Sequence, residues 1–237
     1  MPGTRRGFRI ILQERDQKLL SALDTMRIVD RRQAMVLMGF TSISRVNARL
    51  LQLTRAGIVI RDYIPAQNFG RKAVYRRTGS RRVTERAAPH LLAINEVELA
   101  LRESFGAALR KVQRFSQPIV PGVPLIPDAY VEIGGASIHP IFIEVDLGSE
   151  PRSVWRLKAQ AYLSVALSGA FEEAFQQPRF RVAVVASSER RLNSIRQAVR
   201  TETDRLFFFS TFESINSDGV RAAIWLRPEG SKHSSLI

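Results

Sequence analysis

Two apolar runs separated by a glycine pair constrain the fold of this chain most. The first is Ile126-Pro127-Asp128-Ala129-Tyr130 and the residues that follow. The second is Ile141-Phe142-Ile143-Glu144-Val145-Asp146. Gly134-Gly135 marks a turn between them, and a loop of about four residues is a common hairpin length. Antiparallel pairing across that turn places Asp128 opposite Ile143 or Glu144. The run Ile141–Val145 is nearly all apolar, as expected of a central strand buried on both faces. Glu144 and Asp146 are two apart, so they share a face. Three carboxylates then meet at one sheet edge, an oxygen-ligand set for Mg²⁺ or Mn²⁺. The plain alternative is a set of solvated acids at strand ends, with Pro-Asp a common turn starter.

Charge divides the chain in two. Residues 1–88 hold 19 Lys/Arg against 6 Asp/Glu, a net of +13, whereas residues 89–237 hold 17 against 16, a net of +1. Charge so concentrated seeks phosphate or anionic lipid. The basic part has no basic amphipathic helix with bulky exposed apolar residues, so nucleic acid is favoured over membrane. The sequence has no cysteine, which removes disulfides, thiolate zinc sites and Cys nucleophiles. No apolar run reaches the length of a membrane span, and the N-terminus lacks a signal-peptide core. These features predict a soluble, cytoplasmic protein.

The basic part reads as three helices and a hairpin. Met1–Arg9 is a basic arm with Arg5, Arg6 and Arg9. Leu19, Leu20, Leu23 and Met26 give Glu14–Met26 a helical spacing, and Glu14 and Asp16 suit the dipole of its first turn. A second helix spans about Arg31–Met38. A third, capped by Thr41 or Ser42, runs to about Ala56 and stops at Gly57. Its inward stripe is Ile43, Val46, Leu50 and Leu53. Ser44, Arg45, Ala48, Gln52 and Arg55 point away, with Arg49 at the flank. Ile58–Ile64 and Ala73–Arg77 flank a loop with Gly70-Arg71-Lys72, which reads as a hairpin with a basic tip. That order is the order of a winged helix-turn-helix over residues 1–77. Its third helix would enter the major groove of double-stranded DNA, and Arg71 and Lys72 would touch phosphate. Ser44, Arg45, Arg49, Gln52 and Arg55 are the candidate DNA-contacting side chains of the third helix. A small helical bundle with a solvated basic face is the alternative. Residues 78–88 are basic, without periodicity, and read as a linker.

The remainder, 89–228, predicts a mixed α/β domain, with 229–237 a flexible tail. Pro89 opens a helix expected to reach about Val112, carrying His90, Asn95 and Glu98, with Glu98 an auxiliary ligand candidate. Gln113–Pro124 reads as an irregular connector or edge strand. After the acidic hairpin come a helix over about Ser153–Ser168 with Lys158, Gln160 and Tyr162, a strand Arg181–Ala186, a basic helix Ser188–Arg200, a strand Leu206–Phe209, and a last strand within Val220–Leu226. Helices interleaved with strands in this way give a mixed sheet with helices on its faces.

Pro127-Asp128 and the acids across the hairpin resemble the PD-(D/E)xK nuclease-like fold. The layout as a whole is similar to the replication-relaxation family of mobile-element proteins. The matching pieces are Glu14-Arg15-Asp16…Leu19-Leu20, the expected winged helix, His90-Leu91…Asn95, Pro127-Asp128-Ala129, Phe142-Ile143-Glu144-Val145-Asp146 and Leu157-Lys158…Tyr162. The resemblance implies a role in plasmid replication or conjugation. In the nuclease pattern Asp128 and Glu144 would bind the metal, which with a lysine would activate water for phosphodiester hydrolysis. The lysine expected two residues after Glu144 is Asp146 here, and an acid cannot stabilise developing anionic charge. Lys158 on the following helix is the candidate replacement; a surface lysine is the alternative. Three functions follow: a duplex-DNA-binding protein with a nuclease-like platform, a Mg²⁺-dependent endonuclease targeted by the same winged helix, and a repressor with an inert C-terminal domain, which would bind its operator as a homodimer.

Overall fold

The computed structural model describes residues 10–66, 70–135 and 137–237. The basic arm with Arg5, Arg6 and Arg9, and the centre of the hairpin tip, lie outside the described residues. The fold is mixed α/β, with a three-stranded antiparallel sheet and a seven-stranded mixed sheet. The chain forms two compact units, residues 1–99 and 100–237.

In the first unit, α1 (Glu14–Met26) buries Leu19, Leu20, Leu23 and Met26. The short strand β1 (Val29–Asp30) leads into α2 (Arg31–Leu37). Asp30 caps α2 by accepting the Gln33 N–H at 2.8 Å, which satisfies one of the open donors of a first helical turn. After a turn at Gly39, α3 (Ile43–Arg55) buries Val46, Leu50 and Leu53. Ile43 departs from the expected inward stripe: it lies in the first turn of α3 and is 54% exposed. Gly57, at φ +71°, turns the chain out of α3, a left-handed conformation that disfavours other residues. The strands β2 (Val59–Pro65) and β3 (Arg71–Arg77) pair antiparallel from Val59↔Arg77 to Pro65↔Arg71, and β1 lies on the far side of β3. The second strand thus begins earlier than its apolar residues suggest, which takes Arg71 and Lys72 into the ladder.

One buried ion pair ties this unit together. Asp16 is fully buried in the first turn of α1, and its Oδ1 accepts from Arg49 Nε of α3 at 2.9 Å. Arg49 Nη2 bonds the other carboxylate oxygen and also the Ile11 carbonyl. Asp16 Oδ2 further accepts the Gln13 N–H at 2.7 Å. Burial opposes the charge of Asp16, but the Arg49 guanidinium and the Gln13 N–H outweigh it and hold its carboxyl below the usual range.

Two segments differ from expectation in the same direction. Residues 78–88 do not span open solvent as a linker would: Val83 and Ala88 are buried with Ile28, Ile64, Val74 and Leu92. The division between units falls later, inside α4 (Ala88–Phe105). That helix also stops before Val112. A 3-10 turn at Gly106–Ala108 ends it, and Leu109–Gln113 becomes β4, paired with the next strand at Val112↔Val131. Glycine is a poor helix residue, and sheet pairing takes up the segment beyond it.

The second unit is built on β5 (Ala129–Gly134), β6 (Ile138–Asp146), β7 (Arg181–Ala186) and β8 (Phe207–Thr211). β4–β5 and β5–β6 are antiparallel, whereas β6–β7 and β7–β8 are parallel. Parallel neighbours need a crossover; α5 (Arg152–Leu167) supplies the first and α7 (Glu189–Arg200) the second, with α6 (Ala170–Phe175) between α5 and β7. One face of the sheet packs an aromatic cluster centred on Phe142, whose ring lies 5.0 Å from Phe180, 5.1 Å from Tyr130 and 5.6 Å from Tyr162. After β8 come α8 (Phe212–Asp218), β9 (Trp225–Leu226) and β10 (His233–Ser234). The expected polar tail is therefore part of the sheet: β10 pairs with β9, and Leu236 is buried, its carbonyl accepting from Arg181 Nη1 at 2.5 Å. Among the described residues no helix is long and apolar enough to cross a membrane.

Removing one member of a buried ion pair typically costs about 3–5 kcal/mol, because the other charge is left uncompensated. Arg49→Ala is therefore expected to lower the urea midpoint of the transition that unfolds the first unit by a corresponding amount, followed by far-UV circular dichroism. Asp16 has a depressed folded-state pKa, so its contribution is present at neutral pH and is lost as pH falls through that value. The wild-type and variant midpoints should accordingly converge in acid.

Candidate functional site

The β5–β6 register pairs Ala129 with Ile143, and one step further brings Asp128 across from Glu144. Asp128 Oδ2 accepts the Val145 N–H at 2.8 Å, which fixes the carboxylate against the end of β6. Strand alternation turns Phe142, Glu144 and Asp146 to one face, the face that α5 covers. On α5, Trp155, Lys158 and Tyr162 are spaced by three and four residues and so line one side of the helix.

These spacings bring together a buried charged cluster. Lys158 Nζ lies 3.0 Å from Glu144 Oε2 and 2.9 Å from Glu150 Oε2, and 4.8 Å above the Trp155 ring. The Tyr162 hydroxyl donates to Glu144 Oε1 at 2.6 Å. Lys158 is thus largely buried against two carboxylates rather than solvated at the surface. Burial pushes the Glu144 carboxyl up, and the Asp128 charge adds to this; Lys158 and the Tyr162 hydrogen bond pull it down, leaving it at about 7. Burial alone would lower the Lys158 ammonium, but Glu144 and Glu150 raise it above its ordinary value. Burial and Glu144 push the Tyr162 phenol well up. Burial thus pulls Glu144 toward its neutral form, beside an ammonium whose charge is reinforced and a phenol whose neutral form is favoured. A carboxyl near 7 can take or give a proton, and an ammonium beside it can stabilise a developing anion.

Asp146 has a different fate from the one its spacing suggests. Its oxygens accept from Arg191 Nε at 2.5 Å, Arg191 Nη2 at 2.7 Å, the Trp155 indole at 3.0 Å and the Gly148 N–H at 2.7 Å. Burial opposes its charge, yet these donors hold it below the usual carboxylate range. Among the described residues, no three acidic or imidazole side chains come together as a metal-binding group. Of the expected set of Asp128, Glu144 and Asp146, Asp146 is paired with Arg191 and fastens the end of β6 to α5 and α7. Asp128 and Glu144 remain neighbours whose like charges oppose each other, which is the repulsion a cation relieves.

Gln160 bonds Glu202 at the surface, and Glu98 is buried on α4, in the first unit. Sequence reasoning did not select Tyr162, Trp155, Glu150 or Arg191 as site residues. The four-residue spacing of Lys158 and Tyr162 was the available signal for Tyr162. Nothing local separates Arg191 from the other arginines of α7.

The basic face of the first unit sorts its candidates. Ser44, Arg45 and Arg55 are exposed on α3, and no carboxylate among the described residues pairs with either arginine. Arg49 is half-buried and committed to Asp16, Ile11 and Gln52, which accepts from Arg49 Nη1 at 2.9 Å. Arg71 is exposed and reaches the Tyr63 carbonyl at 2.9 Å and Glu85 at 3.3 Å. Lys72 pairs with Asp30 at 2.5 Å. Asn47, unremarked in the sequence, is exposed beside Ser44 and Arg45; its position three residues after Ser44 was the signal.

The Glu144 carboxyl makes stability depend on pH. Its folded-state value lies above the ordinary 4.5, so its contribution is complete below about pH 4.5 and is lost as pH rises through about 7. Melting temperatures recorded between pH 4 and 8 should show this loss in the wild type and not in Glu144→Gln. Tyr162→Phe removes a hydrogen bond to a charged group, a change of about 1.5–3 kcal/mol, and should destabilise mainly on the alkaline side of that window.

A family model described as replication-relaxation matches residues 20–177. No curated protein and no solved structure matches the chain. The family match covers β1 to β6, α2 to α4, and α5, the helix that carries Lys158 and Tyr162. Spanning more than half of the 237 residues, it shows that the chain belongs to the replication-relaxation family.

Proposed function

We propose that this is a duplex-DNA-binding protein serving the replication or relaxation of a mobile genetic element, of the plasmid replication or conjugation type. The order α1-β1-α2-α3-β2-β3 is read as a winged helix-turn-helix, with α3 entering the major groove and the β2–β3 hairpin lying along the backbone. The observation that carries the reading is the exposed face of α3. Ser44, Arg45, Asn47 and Arg55 stand on it without an acidic residue anywhere in the helix, in a part of the chain whose net charge is +13. Family membership suggests the biological setting. In this reading Arg45 and Arg55 meet DNA, Arg71 meets phosphate at the hairpin, and Arg49, Gln52 and Lys72 hold the scaffold in shape.

The Lys158–Glu144 contact favours a second reading, an endonuclease of the PD-(D/E)xK type directed by the same DNA-binding unit. In that reading Asp128 and Glu144 hold Mg²⁺ or Mn²⁺, and Lys158 on α5 supplies the ammonium that the residue two positions after Glu144 does not. A bound metal would supply an activated water and a Lewis acid. The chain's own part is to place the carboxylates on adjacent strand ends, to keep Lys158 charged, and to hold Glu144 through Tyr162.

Arg45→Ala is expected to weaken duplex binding in a gel-shift titration at fixed salt. If Arg45 holds a phosphate, the slope of log affinity against log salt should fall by about one. Unchanged binding in the Arg45→Ala, Arg55→Ala double variant would overturn the assignment of α3. Supercoiled plasmid incubated with Mg²⁺, with Mn²⁺ and with chelator separates the two readings. Metal-dependent nicking that disappears in Glu144→Ala supports the endonuclease; a shifted, uncut plasmid in every lane supports the binding protein.

A further inference from the structure

At the opposite ends of the parallel strands from Glu144, on the other face of the sheet, cations gather without acids. His139 is the second residue of β6, Arg181 the first of β7 and Phe208 the second of β8. The parallel registers Ile141↔Arg181 and Ala183↔Phe208 put these three side chains on the face that points away from Glu144. The antiparallel register Phe209↔Leu226 brings Arg227 beside Phe208. Two guanidiniums share that one ring: Arg227 at 4.3 Å and Arg181 at 5.4 Å from its centroid. Both are only partly exposed, and both donate to main-chain carbonyls, Arg181 to Leu236 and Arg227 to Asp204 at 3.3 Å. Among the described residues no ion pair with a carboxylate is made by Arg179, Arg181 or Arg227. The Asp204 side chain acts on Arg227 at a distance, and its near ion pair is with Arg205.

Burial, with repulsion from Arg179 and Arg227, draws Arg181 below its ordinary value, and burial with Arg181 and Arg179 does the same to His139. Gathering like charges in a half-desolvated place is unfavourable unless something of opposite sign is brought in. Three other half-buried guanidiniums answer a carboxylate, Arg49 with Asp16, Arg76 with Asp62 and Arg191 with Asp146, whereas Arg196, like Arg181 and Arg227, is held by main-chain carbonyls. Around Phe208 no carboxylate among the described residues pairs directly with Arg181 or Arg227; the charge of Asp204 reaches Arg227 only at a distance. Two forked donors over one ring, with the His139 imidazole on the strand beyond Arg181, match the several oxygens of a tetrahedral oxyanion.

The geometry points to an anion-binding site for a phosphate group, made by Arg181, Arg227 and His139 with Arg179 at its rim. It is independent of the DNA-binding face on α3 and of the Glu144 cluster. The phosphate is that of a nucleic-acid backbone or a free phosphate, and the chemistry of recognition is the same for both.

The test is titration of the intact chain with inorganic phosphate at constant ionic strength, balanced with chloride, following thermal unfolding and heat of binding. Saturable stabilisation by phosphate is expected, with Arg227→Gln reducing the apparent affinity at least tenfold. Should Arg227→Gln melt much earlier than wild type in chloride, Arg179→Gln gives the same comparison from an exposed position. Duplex titrations then separate the sources. Weaker duplex binding with a shallower salt slope in Arg227→Gln marks the backbone, and unchanged duplex binding with lost phosphate response marks a free phosphate. Equal stabilisation by phosphate and chloride in the wild type, or an undiminished phosphate response in both variants, overturns the proposal.

Discussion

A single carboxylate, Glu144, sets the terms for the second unit. It sits 1% exposed at the end of a strand paired on both sides, where an isolated ion would be untenable. Everything around it reduces that cost. Lys158 and Tyr162 reach it from α5, and the helix can bring both because they are one turn apart. Placing them requires α5 to lie flat on β6, and the ring of Tyr162 then becomes part of the aromatic cluster around Phe142. The charge cluster and the apolar core are therefore two sides of one helix. A change that loosens the packing also moves the ammonium.

Asp146 shows how a neighbour on the same strand face can take a different role. It lies two residues from Glu144 and shares its orientation, yet it is enclosed by Arg191, Trp155 and the Gly148 N–H. One acid is held as an anion by a permanent counter-ion; the other is pushed toward its neutral form by burial. The difference comes from which helix supplies the cation and how many donors converge, and the strand itself does not determine it. In the first unit the same logic separates Arg49 from Arg45. The first is turned inward to a buried acid, and the second is turned out to solvent.

Much of this architecture is legible in the residues. The register of the acidic hairpin, the crossover helices and the mixed sheet all follow from apolar period and turn residues, because those patterns record which side chains are buried. Among long-range pairings, the approach of Lys158 to Glu144 was open to expectation only through the nuclease-like resemblance, and that of Arg191 to Asp146 was not legible. Lys158 meets Glu144 across fourteen residues and Arg191 meets Asp146 across forty-five, and no local spacing announces the second. Likewise Val83 in a basic stretch and Leu236 in a serine-rich one look incidental in sequence. Each proves to be the apolar anchor that folds its segment onto a core. Single hydrophobic residues in polar surroundings carry little periodic signal, so such segments read as linker and tail.

Trp155 gives the Glu144 neighbourhood an optical signature of its own. The chain has two tryptophans, and one of them donates its indole N–H to Asp146 while the Lys158 ammonium rests over its ring. An indole between a fixed anion and a fixed cation has emission that responds to the field of both. Any ligand or protonation event that displaces Lys158 therefore changes the colour or yield of that fluorescence, so the protein carries an intrinsic probe a few ångströms from the groups whose chemistry is in question.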